Sequence, residues 1–209
     1  IRRPPRSTLD RSSAASDVYL RLTRDGDSGG NRPVEQRVAS SWGLPGSYDP
    51  ERRLTYWGIA NPTPYTRLTR HGSPDGTAIT APADLYSNST VALDIDTGEL
   101  SWYYQHLPRD NWDLDHVFER YLIDVVVAPD PAEVPWISSR ITPGERRRVV
   151  TGIPGKTGIV YTLDRKTGEF LWARETLHQN VITSIDGSGE VHILSLIHIS
   201  APTRPRLIS

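Results

Sequence analysis

At 209 residues with a formal net charge of −1, the chain has no global field that would hold nucleic acid or an acidic membrane surface. It contains no cysteine, which excludes a zinc–thiolate centre, a cysteine nucleophile and an internal disulfide. The 6 Trp and 9 Tyr against 2 Phe, with 16 Gly and 17 Pro, point to an all-β protein with many turns.

Residues 1–20 share no periodicity with the middle of the chain, nor do residues 195–209; both resemble translated adapter or linker sequence, so the coding segment is expected over 21–194. The N-terminal charges are not followed by an apolar core and do not read as a signal peptide. No run of about 18 apolar residues occurs, so no membrane-spanning helix is expected. The run Arg146-Arg147-Arg148 has no aromatic stacking platform beside it and reads as a solvated loop rather than a nucleic-acid patch.

The first segment of interest is Ser41-Trp42-Gly43, followed by Tyr48-Asp49-Pro50 and the strand-like Leu54-Thr55-Tyr56-Trp57. Asn61-Pro62 comes next; the Asn61 amide oxygen is a ligand type that hard cations accept, although Asn before Pro also forms ordinary turns. Then comes the strongest internal signal. Ala92-Leu93-Asp94-Ile95-Asp96-Thr97-Gly98-Glu99-Leu100-Ser101-Trp102 recurs as Thr162-Leu163-Asp164-Arg165-Lys166-Thr167-Gly168-Glu169-Phe170-Leu171-Trp172. Each copy reads strand, Asp-x-x-Thr-Gly turn, strand ending in Trp. Weaker relatives are Tyr48–Trp57 and Ile185–Glu190. The Trp of each copy is expected to dock neighbouring sheets, which predicts a slice of a β-propeller over an ordinary β-sandwich.

Between the copies, Asn111-Trp112-Asp113-Leu114-Asp115 carries two carboxylates one residue apart. On an extended backbone both point the same way. Such a pair either clamps a hard cation or holds one carboxylate as a base. The alternative is a pair that caps backbone N–H groups at a strand end. His116, beside Asp115, is given no role. Pro129 to Arg148 is rich in Pro and charge and reads as a surface loop. Gly155-Lys156-Thr157-Gly158 then leads into the second repeat; it lacks the earlier glycine of a phosphate loop.

In order, the segments around Trp42, Tyr56–Pro62, Tyr103–Asp113 and Gly155–Arg165, with the tryptophan-docking repeat, resemble the pyrroloquinoline quinone (PQQ)-dependent alcohol dehydrogenases. The resemblance covers about 42–186 and makes 21–194 part of an eight-bladed quinoprotein propeller. It departs from the family at Ala60, where Gly is usual, and at Arg109, where His is usual.

The resemblance implies that Trp42 forms the floor under the quinone ring and that Lys156 stands against the quinone carbonyls. It makes Asn61 and Asp113 metal ligands, and Asp113 also the general base. Asp115 adds a further metal ligand. The family's lanthanide-dependent branch has Asp at that position and the calcium branch a small residue, so the metal implied is a lanthanide(III) ahead of Ca²⁺. The implied reaction oxidises a primary alcohol to an aldehyde by metal-assisted hydride transfer to PQQ, with a cytochrome c-type acceptor in the periplasm. The family's metal-binding Glu and vicinal Cys pair belong upstream of residue 21, so the isolated chain is expected to be inactive. A non-catalytic scaffold of the same propeller repeat is the alternative from a different functional class.

Overall fold

The computed structural model describes residues 33, 39–71 and 83–194, and both adapter-like ends lie outside these. Three antiparallel sheets succeed one another along the chain. The first has the order β1-β2-β3-β4, from β1 (Ser47–Asp49), β2 (Leu54–Gly58), β3 (Ser89–Asp94) and β4 (Leu100–Gln105). A one-turn helix, α1 (Arg67–His71), falls between β2 and β3.

The second sheet contains β5 (Tyr121–Val127), β6 (Trp136–Ile137), β7 (Glu145–Gly152), β8 (Ile159–Asp164) and β9 (Phe170–Glu175), in the order β5-β7-β8-β9-β6. A hairpin of β10 (Ile182–Ile185) and β11 (Val191–Ile193) opens the third.

The two repeat copies fold alike because their turns are wired alike. Asp94 Oδ1 accepts the N–H groups of Asp96 and Thr97, both at 2.9 Å, and Asp164 Oδ1 accepts those of Lys166 and Thr167 at 2.9 and 3.1 Å. Gly98 and Gly168 close the turns at φ 75° and 73°, a conformation that glycine adopts without steric cost. Both hairpins also carry the same one-residue bulge. Ala92 pairs with Trp102 while Leu93 pairs with Leu100, and Thr162 pairs with Trp172 while Leu163 pairs with Phe170. A bulge here re-aims the next side chain of the ladder, which is the tryptophan.

Trp102 leaves its own sheet and lies on the turn of the next one. Its Nε1 donates to Arg165 O at 3.3 Å, and a Cβ on Gly168 would fall 2.5 Å from its ring. This is the docking expected of the repeat. Trp172 has no counterpart contact among the described residues; it lies half-buried against Val127, Val149 and Leu171.

The main core runs through all three sheets, joining Tyr56, Trp102 and Tyr104 to Tyr161, Leu163 and Phe170, and on to Ile182, Ile185 and Val191. The tyrosines suit this core because each sends its hydroxyl to a distant main-chain oxygen: Tyr56 to Arg165, Tyr104 to Gly189 and Tyr161 to His106. A phenylalanine there would remove the donor from each of those carbonyls.

The expectation of a loop over Pro129–Arg148 needs correction. β6 crosses to the far edge of its sheet and pairs with β9, Trp136 opposite Ala173, while Glu145–Arg148 already belong to β7 opposite β5. The apolar residues Val134, Trp136 and Ile137, spaced among the prolines, have a sheet edge to cover.

Candidate functional site

Three connecting segments meet where the first and second sheets face each other: the residues after β2, the long link from β4 to β5, and the turn between β7 and β8. Two glycines allow the approach. A Cβ on Gly58 would collide with His116 O and the Val117 backbone, and one on Gly155 with Asp115 O and the His116 ring. Main-chain bonds then lock the segments, Lys156 N–H to Asp115 O at 3.0 Å and Phe118 N–H to Pro154 O at 2.9 Å.

Asp115 sits at the junction with no exposed surface. Its Oδ1 accepts the Asn61 main-chain N–H at 3.2 Å, and its Oδ2 lies 2.5 Å from Lys156 Nζ. That ion pair leaves Oδ2 without a hydrogen bond of good angle. The neighbouring carboxylate pushes the Lys156 ammonium above its ordinary range. Lys156 Nζ also donates to Asp113 O at 3.0 Å and lies 5.0 Å from the centre of the Trp42 ring. Trp42 itself is 56% exposed, so a flat apolar face stands open beside the ammonium. Asn61 is buried, and its Nδ2 donates to Pro62 O at 3.3 Å.

The fold thus brings Trp42, Asn61, Asp115 and Lys156 together, with Asp113 at the rim. One geometric expectation fails. Residues 111–117 form no strand, and Asp113 has φ 63°, so the two carboxylates do not share a face by strand alternation. Asp113 is exposed where Asp115 is buried. Lys156, which the resemblance sets against the quinone carbonyls, is paired here with Asp115.

Asp110, which stands outside the candidate set, shapes the loop. This buried carboxylate accepts Trp112 N–H at 2.7 Å and Leu114 N–H at 2.9 Å, together with Asn88 Nδ2 at 3.0 Å. Burial raises its pKa, and these donors pull against the rise. A signal was present, since Asp readily folds the backbone two to four residues ahead onto its own side chain. Asn88, 22 residues upstream, had no such signal. From α1, the Arg67 main-chain N–H reaches Asn111 Oδ1 at 2.7 Å and its guanidinium lies 5.7 Å from the Trp112 ring. Arg70 joins Asp84, at 2.9 Å, to Asp110 O, at 2.6 Å.

Beneath the site His106 and His116 stack 5.4 Å apart at 6°. Burial holds His116 down to about 3 and His106 well below its usual range. Arg120 is buried beside them, donating to Thr90 Oγ1, Phe118 O and His116 O; desolvation lowers its pKa to about 9.

Asn61, Asp113 and Asp115 are all oxygen donors, the set that a hard cation accepts. The buried Asp115 Oδ2, with only an ion pair to compensate it, fits such an ion. Among the described residues, the three-residue group of acidic and imidazole donors within reach of one metal is elsewhere: Asp186, Glu190 and His192 on the β10–β11 hairpin.

Docked propeller blades with a buried carboxylate, an ammonium and an open indole at their junction define a quinoprotein-like architecture. Residues 21–181 match the PQQ family described as glucose/ethanol/alcohol dehydrogenase, β-propeller domain, and the chain belongs to that family. The quinohemoprotein alcohol dehydrogenase of Comamonas testosteroni is 32% identical over 144 residues, which is 69% of this chain and 17% of that protein. Among solved structures, the quinohemoprotein alcohol dehydrogenase ADHIIG of Pseudomonas putida HK5 superposes with a TM-score of 0.62 at 28% identity, covering 77% of this chain and 20% of that one. A europium-containing methanol dehydrogenase superposes with a TM-score of 0.59 at 25% identity, covering 75% and 23%. The chain therefore spans less than a quarter of the length of these relatives.

Proposed function

We propose that this chain is a segment of a PQQ-dependent dehydrogenase that oxidises a primary alcohol to an aldehyde, and that it contributes one side of the cofactor and metal site. The carrying observation is the fully buried Asp115, held between Asn61 and Lys156 beside the open Trp42 ring. A propeller scaffold needs Trp102 on Gly168, but it has no need to bury a carboxylate against an ammonium in the same place.

In this reading Asn61, Asp113 and Asp115 hold the metal, and the Trp42 ring supports the quinone. Bound there, the quinone would supply the hydride acceptor and the metal the Lewis acidity that makes it a better one. Asp113, exposed at the rim, takes the hydroxyl proton of the alcohol on its carboxylate. Its left-handed backbone turns the 113–115 segment, so one carboxylate faces solvent and substrate while the other faces inward. Lys156 holds its ammonium 5.0 Å from the Trp42 ring, where it would stabilise negative charge developing on the quinone oxygens. The buried Asp115 adds a second anionic oxygen to the cage, which favours a lanthanide(III) over Ca²⁺. A cytochrome c-type acceptor and a periplasmic location complete the proposal, and both rest on the family.

The test uses the full-length protein that carries this segment, reconstituted with PQQ and either a lanthanide(III) or Ca²⁺. Alcohol oxidation is expected, with the lanthanide(III) giving the higher rate. Asp113→Asn should lower kcat by about 10²- to 10⁴-fold, the usual worth of a positioned base. An Asp113→Asn protein as fast as wild type would sink the assignment.

A further inference from the structure

The Lys156–Asp115 pair is lopsided: its carboxylate is fully buried, while its ammonium side chain is 35% exposed. Asp115 Oδ1 has the Asn61 N–H, whereas Oδ2 has only the ammonium. A buried carboxylate oxygen with no hydrogen-bond donor of its own is stabilised by a cation beside it. Lys156 delivers one from the solvent side on a flexible stem, with Asp113 O and the Trp42 ring as secondary holds.

We propose that the Lys156 ammonium and a hard cation compete for the same oxygen, Asp115 Oδ2, so that metal loading moves the ammonium off Asp115. This rests on the metal-site reading above. The physical reason is Coulombic. Two cations drawn to one buried oxygen stand within a few ångströms of each other, where repulsion between like charges is strong and poorly screened. The ion of higher charge keeps the oxygen, and the tethered ammonium retreats to Asp113 O and the Trp42 face, both on the exposed side. Lys156 thereby sets a threshold: a cation must outcompete an ammonium held in place by the fold. A trivalent ion does so more readily than a divalent one, which makes Lys156 a selectivity residue as well as a cofactor contact.

The experiment is thermal melting of the full-length protein that carries this segment, with and without lanthanum(III), for wild type, Lys156→Met, Lys156→Arg and the double variant Lys156→Met/Asp115→Asn. Without metal, Lys156→Met is expected to melt below wild type and Lys156→Arg close to it. Lanthanum(III) should raise the melting temperature of Lys156→Met at least twice as far as that of wild type, and leave the double variant unmoved. An equal or smaller rise in Lys156→Met overturns the competition while leaving Asp115 a metal ligand. A rise that persists in the double variant assigns the ion to other carboxylates and also overturns it. No rise in any variant removes both the competition and the metal-site reading. A second readout needs no variant: reductive methylation of Lys156 in wild type should quicken when lanthanum(III) is added, and an unchanged rate overturns the proposal.

Discussion

Asp110 governs a loop it does not visibly dominate in the sequence. Replacing it with Ala strands the N–H groups of Trp112 and Leu114 and the Asn88 amide, at a cost of about 1–3 kcal/mol for each donor left unpaired. Urea unfolding should show that loss, and the amide protons of Trp112 and Leu114 should exchange faster than their neighbours. Asp110→Asn keeps an acceptor oxygen and should cost less. Gly155 acts by contrast through what it lacks. Its α-carbon lies so close to Asp115 O and the His116 ring that Gly155→Ala forces two main-chain segments apart. A destabilisation of about 1–3 kcal/mol is expected, the usual range for overpacking, together with a weaker Lys156–Asp115 contact. A Gly155→Ala protein as stable as wild type would contradict the close packing of these segments.

Among the elements, the β3–β4 hairpin is the joint that holds one sheet to the next. Its bulge delivers Trp102 onto Gly168, and its final residues lead directly into the link that carries Asp110, Asp113 and Asp115. Trp102→Ala removes a large buried ring and one hydrogen bond, so a loss of about 3–5 kcal/mol is expected in chemical denaturation. Arg165 works at the same joint. Its carbonyl receives Trp102 Nε1 and the Tyr56 hydroxyl, while its guanidinium reaches Asp49 at 3.3 Å and Asp124 at 2.9 Å. Because Asp124 is exposed, that arm is screened by solvent and contributes little. The Trp102 arm carries the joint.

For the molecule as a whole, the buried His106–His116 pair couples stability to pH. The folded chain keeps both rings neutral, through burial and the charge of Arg120 beside them. An unfolded chain protonates both near pH 6.5. Stability is therefore complete above that pH and falls as pH drops from about 6.5 toward about 3, by about 1.4 kcal/mol per pH unit for His116, with His106 acting in the same direction. Urea midpoints on either side of pH 6.5 would check this; a flat profile would show that the rings are not buried as a pair. His116 is next to Asp115 in the chain, so acid should loosen the site along with the fold.

What the sequence determined by itself was local. The Asp-x-x-Thr-Gly turns and their glycines at positive φ arise from bonds between residues two to four apart, and those are readable in a single line of letters. The candidate residues Trp42, Asn61, Asp113, Asp115 and Lys156 could be picked out too, because the short segments that hold them resemble, in order, those of one enzyme family. Only the tertiary structure decided how they meet. Lys156 finds Asp115 far back along the chain, Asn61 finds it from 54 residues upstream, and Trp102 reaches a carbonyl 63 residues ahead. The left-handed turn at Asp113 and the crossing of β6 to pair with β9 were equally hidden. Both depend on which buried donors and sheet edges lie nearby in space, and packing settles that where sequence distance does not.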